Sequence, residues 1–137
     1  MKKKVLFLCT HNSCRSQMAE GIVNHLLGDR FQAFSAGTEK TRVNPLAIQV
    51  LAEIGIDISS HYSKTLVQFE GDQFDHVITL CGSANEQCPL FVGGAKRVHI
   101  GFDDPSRTAG TQEEIVADFR RVRDEIKEKI TTYLENA

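Results

Sequence analysis

One short run constrains this chain more than any other. Val5-Leu6-Phe7-Leu8 is continuous and apolar, a Thr-His-Asn-Ser stretch interrupts it, and an amphipathic segment begins at Ser16. A brief apolar run closed by turn-forming residues reads as a buried strand, Lys3 to Cys9. From Ser16 to Leu27 the residues Met18, Ala19, Ile22, Val23, Leu26 and Leu27 recur at helical spacing, with Gly28 expected as the C-cap. The same alternation continues. Phe31 to Ser35, Asp75 to Leu80 and Lys96 to Ile100 read as strands, and Asn44-Pro45 supplies the N-cap and first residue of a helix over Leu46 to Ile54, followed by Gly55. Thr111-Gln112-Glu113-Glu114 is a capping box before a last helix with the stripe Ile115, Phe119, Val122, Ile126, Ile130 and Leu134. Strands separated by helices imply right-handed crossovers and a parallel sheet covered on both faces.

At 137 residues, with 41% hydrophobic residues, the chain suits one domain spanning 1–137. A net charge of −2 gives no global basic field, so neither nucleic acid nor an anionic membrane is an expected partner. The apolar run behind Met1-Lys2-Lys3-Lys4 is too short for a signal peptide or a membrane span, and a cytoplasmic protein is expected. In a reducing compartment the four cysteines are buried bystanders, metal ligands, or redox and nucleophilic groups.

The loop between strand and helix has a definite chemistry. A loop at the amino end of a helix aims several free backbone N–H groups at one spot, where the helix dipole adds positive charge, and such a spot binds oxyanions. Arg15 adds a planar fork of donors suited to bidentate contact with tetrahedral anions. Cys9 stands where the same field favours a thiolate. Lowering a thiol from ~8.5 to ~6.5 takes ~2.7 kcal/mol, which a helix terminus and charge-assisted hydrogen bonds can supply. Ser16 can donate to the sulfur, and Asn12 and Ser13 add donors. A bare Cys-x5-Arg arises by chance, as a buried cysteine and a snorkelling arginine. Here the strand-loop-helix context favours a nucleophile built into an anion cradle.

Cys9-Thr10-His11-Asn12-Ser13-Cys14-Arg15-Ser16-Gln17-Met18-Ala19-Glu20 resembles the phosphate-binding loop and first helix of the low-molecular-weight protein tyrosine phosphatase superfamily. Ser35-Ala36-Gly37 and Gly101-Phe102-Asp103-Asp104-Pro105 resemble further elements of it, in order, and the similarity covers nearly the whole chain. The resemblance implies an α/β fold: a four-stranded parallel sheet of order 2-1-3-4 flanked by helices. It also implies that Thr10, His11, Asn12, Ser13, Cys14 and Arg15 hold the oxyanion, and that Asp104, beside Pro105, is the general acid, with Asp103 its rival.

Within that superfamily Cys81 and Cys88 resemble the redox cysteines of thioredoxin-coupled arsenate reductases, whereas Cys14 occurs in both branches and decides nothing. Cys9 and Cys81 each end an apolar strand, so in a parallel sheet they share the ligand-binding edge, and neighbouring strands ~4.8 Å apart let a disulfide form. A regular helix from Cys81 to Cys88 would hold their Cα atoms ~10.5 Å apart, so pairing them requires unwinding, which Gly82, Ser83 and Asn85 make easy. The implied activity is reduction of arsenate to arsenite for arsenic detoxification. Cys9 attacks arsenate, Cys81 attacks Cys9, Cys88 attacks Cys81, and thioredoxin reduces the Cys81–Cys88 disulfide. No cofactor or metal is expected. Phosphate or sulfate should compete with arsenate, weak phosphatase activity should persist, and a monomer is expected.

Two other readings compete. A tyrosine phosphatase would form a phosphocysteine at Cys9, but such enzymes commonly follow the acidic Asp-Pro with aromatic residues, where this chain has Ser106-Arg107. A zinc site from Cys9, Cys14, Cys81 and Cys88 has looser spacing than usual and would fill the cradle with metal. His25 and His76 read as packing or surface residues, and His11 stands where the family often has glycine. Some relatives bind potassium through groups matching Asn12, Glu20 and Ser35. This chain has Tyr62 and Lys64 where threonine and aspartate are expected, so no potassium dependence follows, and Asn12 and Ser35 are expected to bond to each other.

Overall fold

The computed structural model describes residues 2–82, 91 and 93–137. Its elements are β1 (Lys3–Leu8), α1 (Arg15–Leu26), β2 (Phe31–Ala36), α2 (Pro45–Ala52), a 3-10 turn (Leu66–Phe69), β3 (Phe74–Thr79), β4 (Gly94–His99), a second 3-10 turn (Pro105–Arg107) and α3 (Gln112–Glu135). The four strands form one sheet in the order β2-β1-β3-β4, every pairing parallel. The expected order is therefore the observed one.

Local chemistry explains most element starts. Asn44 Oδ1 accepts the Leu46 N–H at 2.9 Å with Pro45 in the first turn of α2, and Thr111 and Glu114 form a reciprocal capping box on α3. β3 and β4 begin earlier than their apolar residues suggest. Phe74 pairs with Gly94, and the ladder continues from His76 to Lys96, so backbone pairing recruits residues with no strand signature. The stripe of α3 also differs at its start: Val116, not Ile115, is buried, and the polar Arg123 is buried with it. Gly28 is not a left-handed cap. It lies outside the positive-φ residues, and the helix closes through Leu27, whose N–H bonds to Val23 O at 2.8 Å. A Cβ at Gly28 would fall 2.2 Å from Asn24 O, so close approach of backbone, not handedness, demands glycine there.

Strand side chains alternate between two unlike faces. Val5, Phe7, Ala33 and Ile78 pack with Met18 and Ile22 of α1, Val50 and Leu51 of α2, and Phe119 and Val122 of α3. The three α-helices of the described residues thus pack on one face. The other face carries Leu6, Leu8 and Val77 against Phe69, Phe74 and Phe91, with Phe34 completing a series of edge-to-face ring contacts at 5.6–5.8 Å. No helix of the described residues is long and apolar enough to cross a membrane.

Candidate active site

The loop from Cys9 to Cys14 joins the carboxyl end of β1 to α1. The helical ladder begins with Met18 N–H to Cys14 O, and no side chain caps α1, so the amides of its first turn face the loop. Asn12 takes a left-handed conformation, φ 50°, which turns the loop around that point. Its side chain then braces the loop in both directions. Asn12 Oδ1 accepts from Lys64 N at 2.7 Å and Gln17 Nε2 at 2.9 Å, and Asn12 Nδ2 donates to Ser16 Oγ at 2.8 Å. Ser16 Oγ lies 2.9 Å from Cys9 Sγ, and because it already accepts from Asn12, its proton is directed to the sulfur. Gly37 closes the loop from behind, since a Cβ there would meet Thr10 O at 2.6 Å and Asn12 N at 2.8 Å.

Arg15 is 2% exposed, which rules out a snorkelling role. Its Nη1 donates to Phe102 O at 3.2 Å, and its Nη2 stands 3.6 Å from Asp104 Oδ2. Asp104 Oδ1 accepts from Ser106 N at 3.0 Å and Ser106 Oγ at 2.7 Å, leaving Oδ2 toward the cradle. A small cleft, open to solvent, is lined by His11, Ser13, Cys14, Arg15, Asp104 and Ser106. Asp103 does not line it; that side chain is 73% exposed and pairs with Arg121 at 3.2 Å.

Burial pushes the Cys14 thiol up to about 12, and the Asp104 charge pushes in the same direction, so Cys14 is a protonated packing residue at neutral pH. Cys81 is buried beyond the end of β3, the strand beside β1, where Leu80 N–H bonds to Leu8 O at 2.9 Å. The acid loop closes on the same edge: a Cβ at Gly82 would fall 2.2 Å from Phe102 O, and one at Gly101 would fall 2.8 Å from Cys81 O. Cys9 and Cys14 are free thiols, whereas Cys81 is disulfide-bonded. Cys88 lies outside the described residues.

The expected Asn12–Ser35 bond does not form. Ser35 Oγ donates instead to Glu20 Oε1 at 2.6 Å, because Asn12 is spent on Ser16, Gln17 and Lys64. Lys64, 7% exposed, places Nζ 3.6 Å from Glu20 Oε1, 3.1 Å from Tyr62 O and 4.9 Å from the Tyr62 ring centre. An ammonium therefore sits beside Glu20, between that carboxylate and Tyr62. Gln17, fully buried, ties Asn12 to Tyr62 O and to His61 Nδ1, at 3.0 and 2.9 Å. Burial lowers the His61 pKa below the ordinary imidazole value, with Glu20 opposing and Lys64 reinforcing. Gln17 was invisible as a site residue in the sequence; a glutamine on the buried side of an amphipathic helix was its only mark.

A cysteine sulfur at the mouth of a helix terminus, backed by a serine hydroxyl and a buried arginine, with a carboxylate beside the arginine, defines a class. Such sites attack tetrahedral oxyanions through sulfur. The chain belongs to the low molecular weight phosphotyrosine protein phosphatase family, whose model matches residues 4–137. Similar curated proteins are the arsenate reductase of Halalkalibacterium halodurans, 52% identical over 98% of this chain and 96% of that one, and that of Bacillus subtilis, 47% identical over 98% of both. Among solved structures, an arsenate reductase in its phosphate-binding state superposes with a TM-score of 0.82 at 36% identity, covering 99% and 98% of the two chains. The low molecular weight protein tyrosine phosphatase of T. tengcongensis gives 0.74 at 25%, covering 99% and 100%.

Proposed function

We propose that this chain reduces arsenate to arsenite through a relay of Cys9, Cys81 and Cys88, regenerated by thioredoxin, and serves arsenic detoxification in the cytoplasm as a monomer. The observation that carries the reading is the place of Cys81: buried at the carboxyl end of the strand next to that of Cys9. The arsenate reductases similar over the whole length support the same substrate.

The steps follow from the site. Arsenate lies in the loop amides and on Arg15, Cys9 thiolate attacks arsenic, and Asp104 protonates the oxygen that departs as water. Cys81 thiolate then attacks the Cys9 sulfur. The sulfur–arsenic bond breaks with its electron pair on arsenic, arsenite leaves, and a Cys9–Cys81 disulfide remains. Cys88 thiolate attacks Cys81 and frees Cys9, and a thioredoxin dithiol takes up the resulting oxidation. The test is trapping. Reduced protein reacted with arsenate and no reductant, then alkylated and mapped, should yield one arsenite per chain and a Cys81–Cys88 pair, and Cys81→Ser should stop at a single Cys9 adduct. Multiple turnover with thioredoxin by Cys81→Ser or Cys88→Ser would defeat the relay.

Weak phosphatase activity belongs to the same proposal, because phosphate and arsenate share charge and shape. The cavity favours it only weakly: Ser106 and His11 line it, with no aromatic wall for an aryl phosphate among the described residues.

A further inference from the structure

The imidazole of His11 has no task in the relay, yet it stands at the rim of the cradle. It lines the cavity with Ser13, Arg15, Asp104 and Ser106. Its Nε2 lies 3.4 Å from Glu39 Oε2, with the two side chains 39% and 66% exposed. Both backbones are pinned while the side chains reach water. His11 O accepts from Thr41 Oγ1 at 3.0 Å and Ser63 Oγ at 3.1 Å, and Glu39 N donates to Thr10 O at 3.1 Å. The loop that carries Glu39 is therefore stitched to the phosphate-binding-type loop itself. It holds a carboxylate against an imidazole at the rim of the cavity.

The buried charges around His11 have partners of their own. Arg15 and Asp104 share the cavity with it and face each other at 3.6 Å, and Asp104 also meets Arg107 Nε at 3.8 Å. Lys40 and Arg42, on the same loop as Glu39, are exposed. An exposed ion pair such as His11–Glu39 is weak and readily exchanged. A tetrahedral dianion in the cavity offers the imidazolium more negative charge than one carboxylate does.

We infer that His11 is a side-chain ligand for the incoming oxyanion, with Glu39 as its built-in competitor. The protonated ring releases Glu39 and binds an outer oxygen of the dianion. Loop amides and Arg15 hold any tetrahedral anion, and His11 adds a selection for doubly charged ones that strengthens as pH falls. The inference rests on the oxyanion-cradle reading of the loop and is independent of the cysteine relay.

Sulfate is the probe, because it stays doubly charged where phosphate and arsenate change protonation. Reduced full-length protein is titrated calorimetrically with sulfate at about pH 5.5, 7 and 8.5, as wild type, His11→Gln and Glu39→Gln. Cys9 is present in all three proteins, so differences between them report the His11–Glu39 pair. Acidification should tighten sulfate binding about three- to tenfold more in wild type than in His11→Gln. At about pH 5.5 Glu39→Gln should bind roughly three- to fivefold tighter than wild type, with the gap closing by about pH 8.5. Parallel pH profiles for wild type and His11→Gln would overturn the inference. If His11→Gln does not fold, Glu39→Gln decides, and an affinity no tighter than wild type at acid pH overturns it. Absence of arsenate turnover alongside the expected sulfate profiles would defeat the reductase reading and uphold His11, whereas wild type that binds no sulfate at any pH would defeat the cradle itself.

Discussion

Ser16 Oγ lies between Asn12 Nδ2 and Cys9 Sγ, at 2.8 and 2.9 Å, so its one proton has a single acceptor of consequence. A hydrogen bond to a charged sulfur is worth ~1.5–3 kcal/mol, and Ser16→Ala should slow the first arsenate turnover ~10- to 100-fold, measured by rapid quench. Cys14 is the contrasting case. Raised to about 12 by burial, it is no nucleophile, and Cys14→Ala should keep turnover within about threefold of wild type. At Asp104, the change to Asn should slow adduct formation while sulfate still binds; an unchanged rate would remove it as the acid. Lys64 already supplies a cation 3.6 Å from Glu20, so potassium chloride should stimulate activity no more than sodium chloride at equal ionic strength. At this scale the sequence was most legible where one short loop holds all the partners. Cys9, Arg15 and Ser16 lie close enough in the chain for the sequence to place them around one loop, whereas the partner of Asn12 was misread and Lys64 could be read only as a residue out of pattern.

Among the elements, the turn after β2 leaves no room for a side chain. Gly37 N donates to Lys64 O at 2.9 Å, and its missing Cβ leaves room for Cys9 O and Thr10 O. Gly37→Ala should push the loop off its geometry, and calorimetry should find sulfate affinity reduced at least ~10-fold, in a protein destabilised by ~1–3 kcal/mol in urea. Caps were legible because they are built within four residues, as at Asn44 and Thr111. Gly28 was misread because a glycine after a helix can serve either a positive φ or close contact, and the letter is the same for both. Arg123 was missed for a related reason. A charge on the apolar stripe of α3 becomes tolerable because Val50 O of α2 and Glu53 Oε1, just past its end, accept from its Nη1, both at 2.9 Å.

For the molecule as a whole, two depressed histidines make stability fall in acid. His76, in the centre of the sheet, is 1% exposed, its ring sits edge-on to Phe31 and Tyr133, and burial, then Lys96 and Lys3, lowers its pKa. His61 is lowered too. A depressed histidine holds fewer protons folded than unfolded. Stability is therefore complete above the ordinary imidazole value of ~6.5 and declines as pH falls below it. Urea unfolding of His76→Phe should show a shallower loss of stability from about pH 6.5 to 5 than wild type. A parallel decline would show that His76 does not carry the effect.

The chain order of strand, loop and helix, the anion cradle and the capped helices were determined by the sequence alone, since each is written in neighbouring residues and enforced by backbone hydrogen bonding over a few ångströms. Which carbonyl receives Arg15, which of two adjacent aspartates faces it, where Lys64 inserts and which strand end lies beside Cys9 were decided by the tertiary structure. These contacts join segments distant in the chain, and only the parallel register of β1 with β2 and β3 fixes the distances between them.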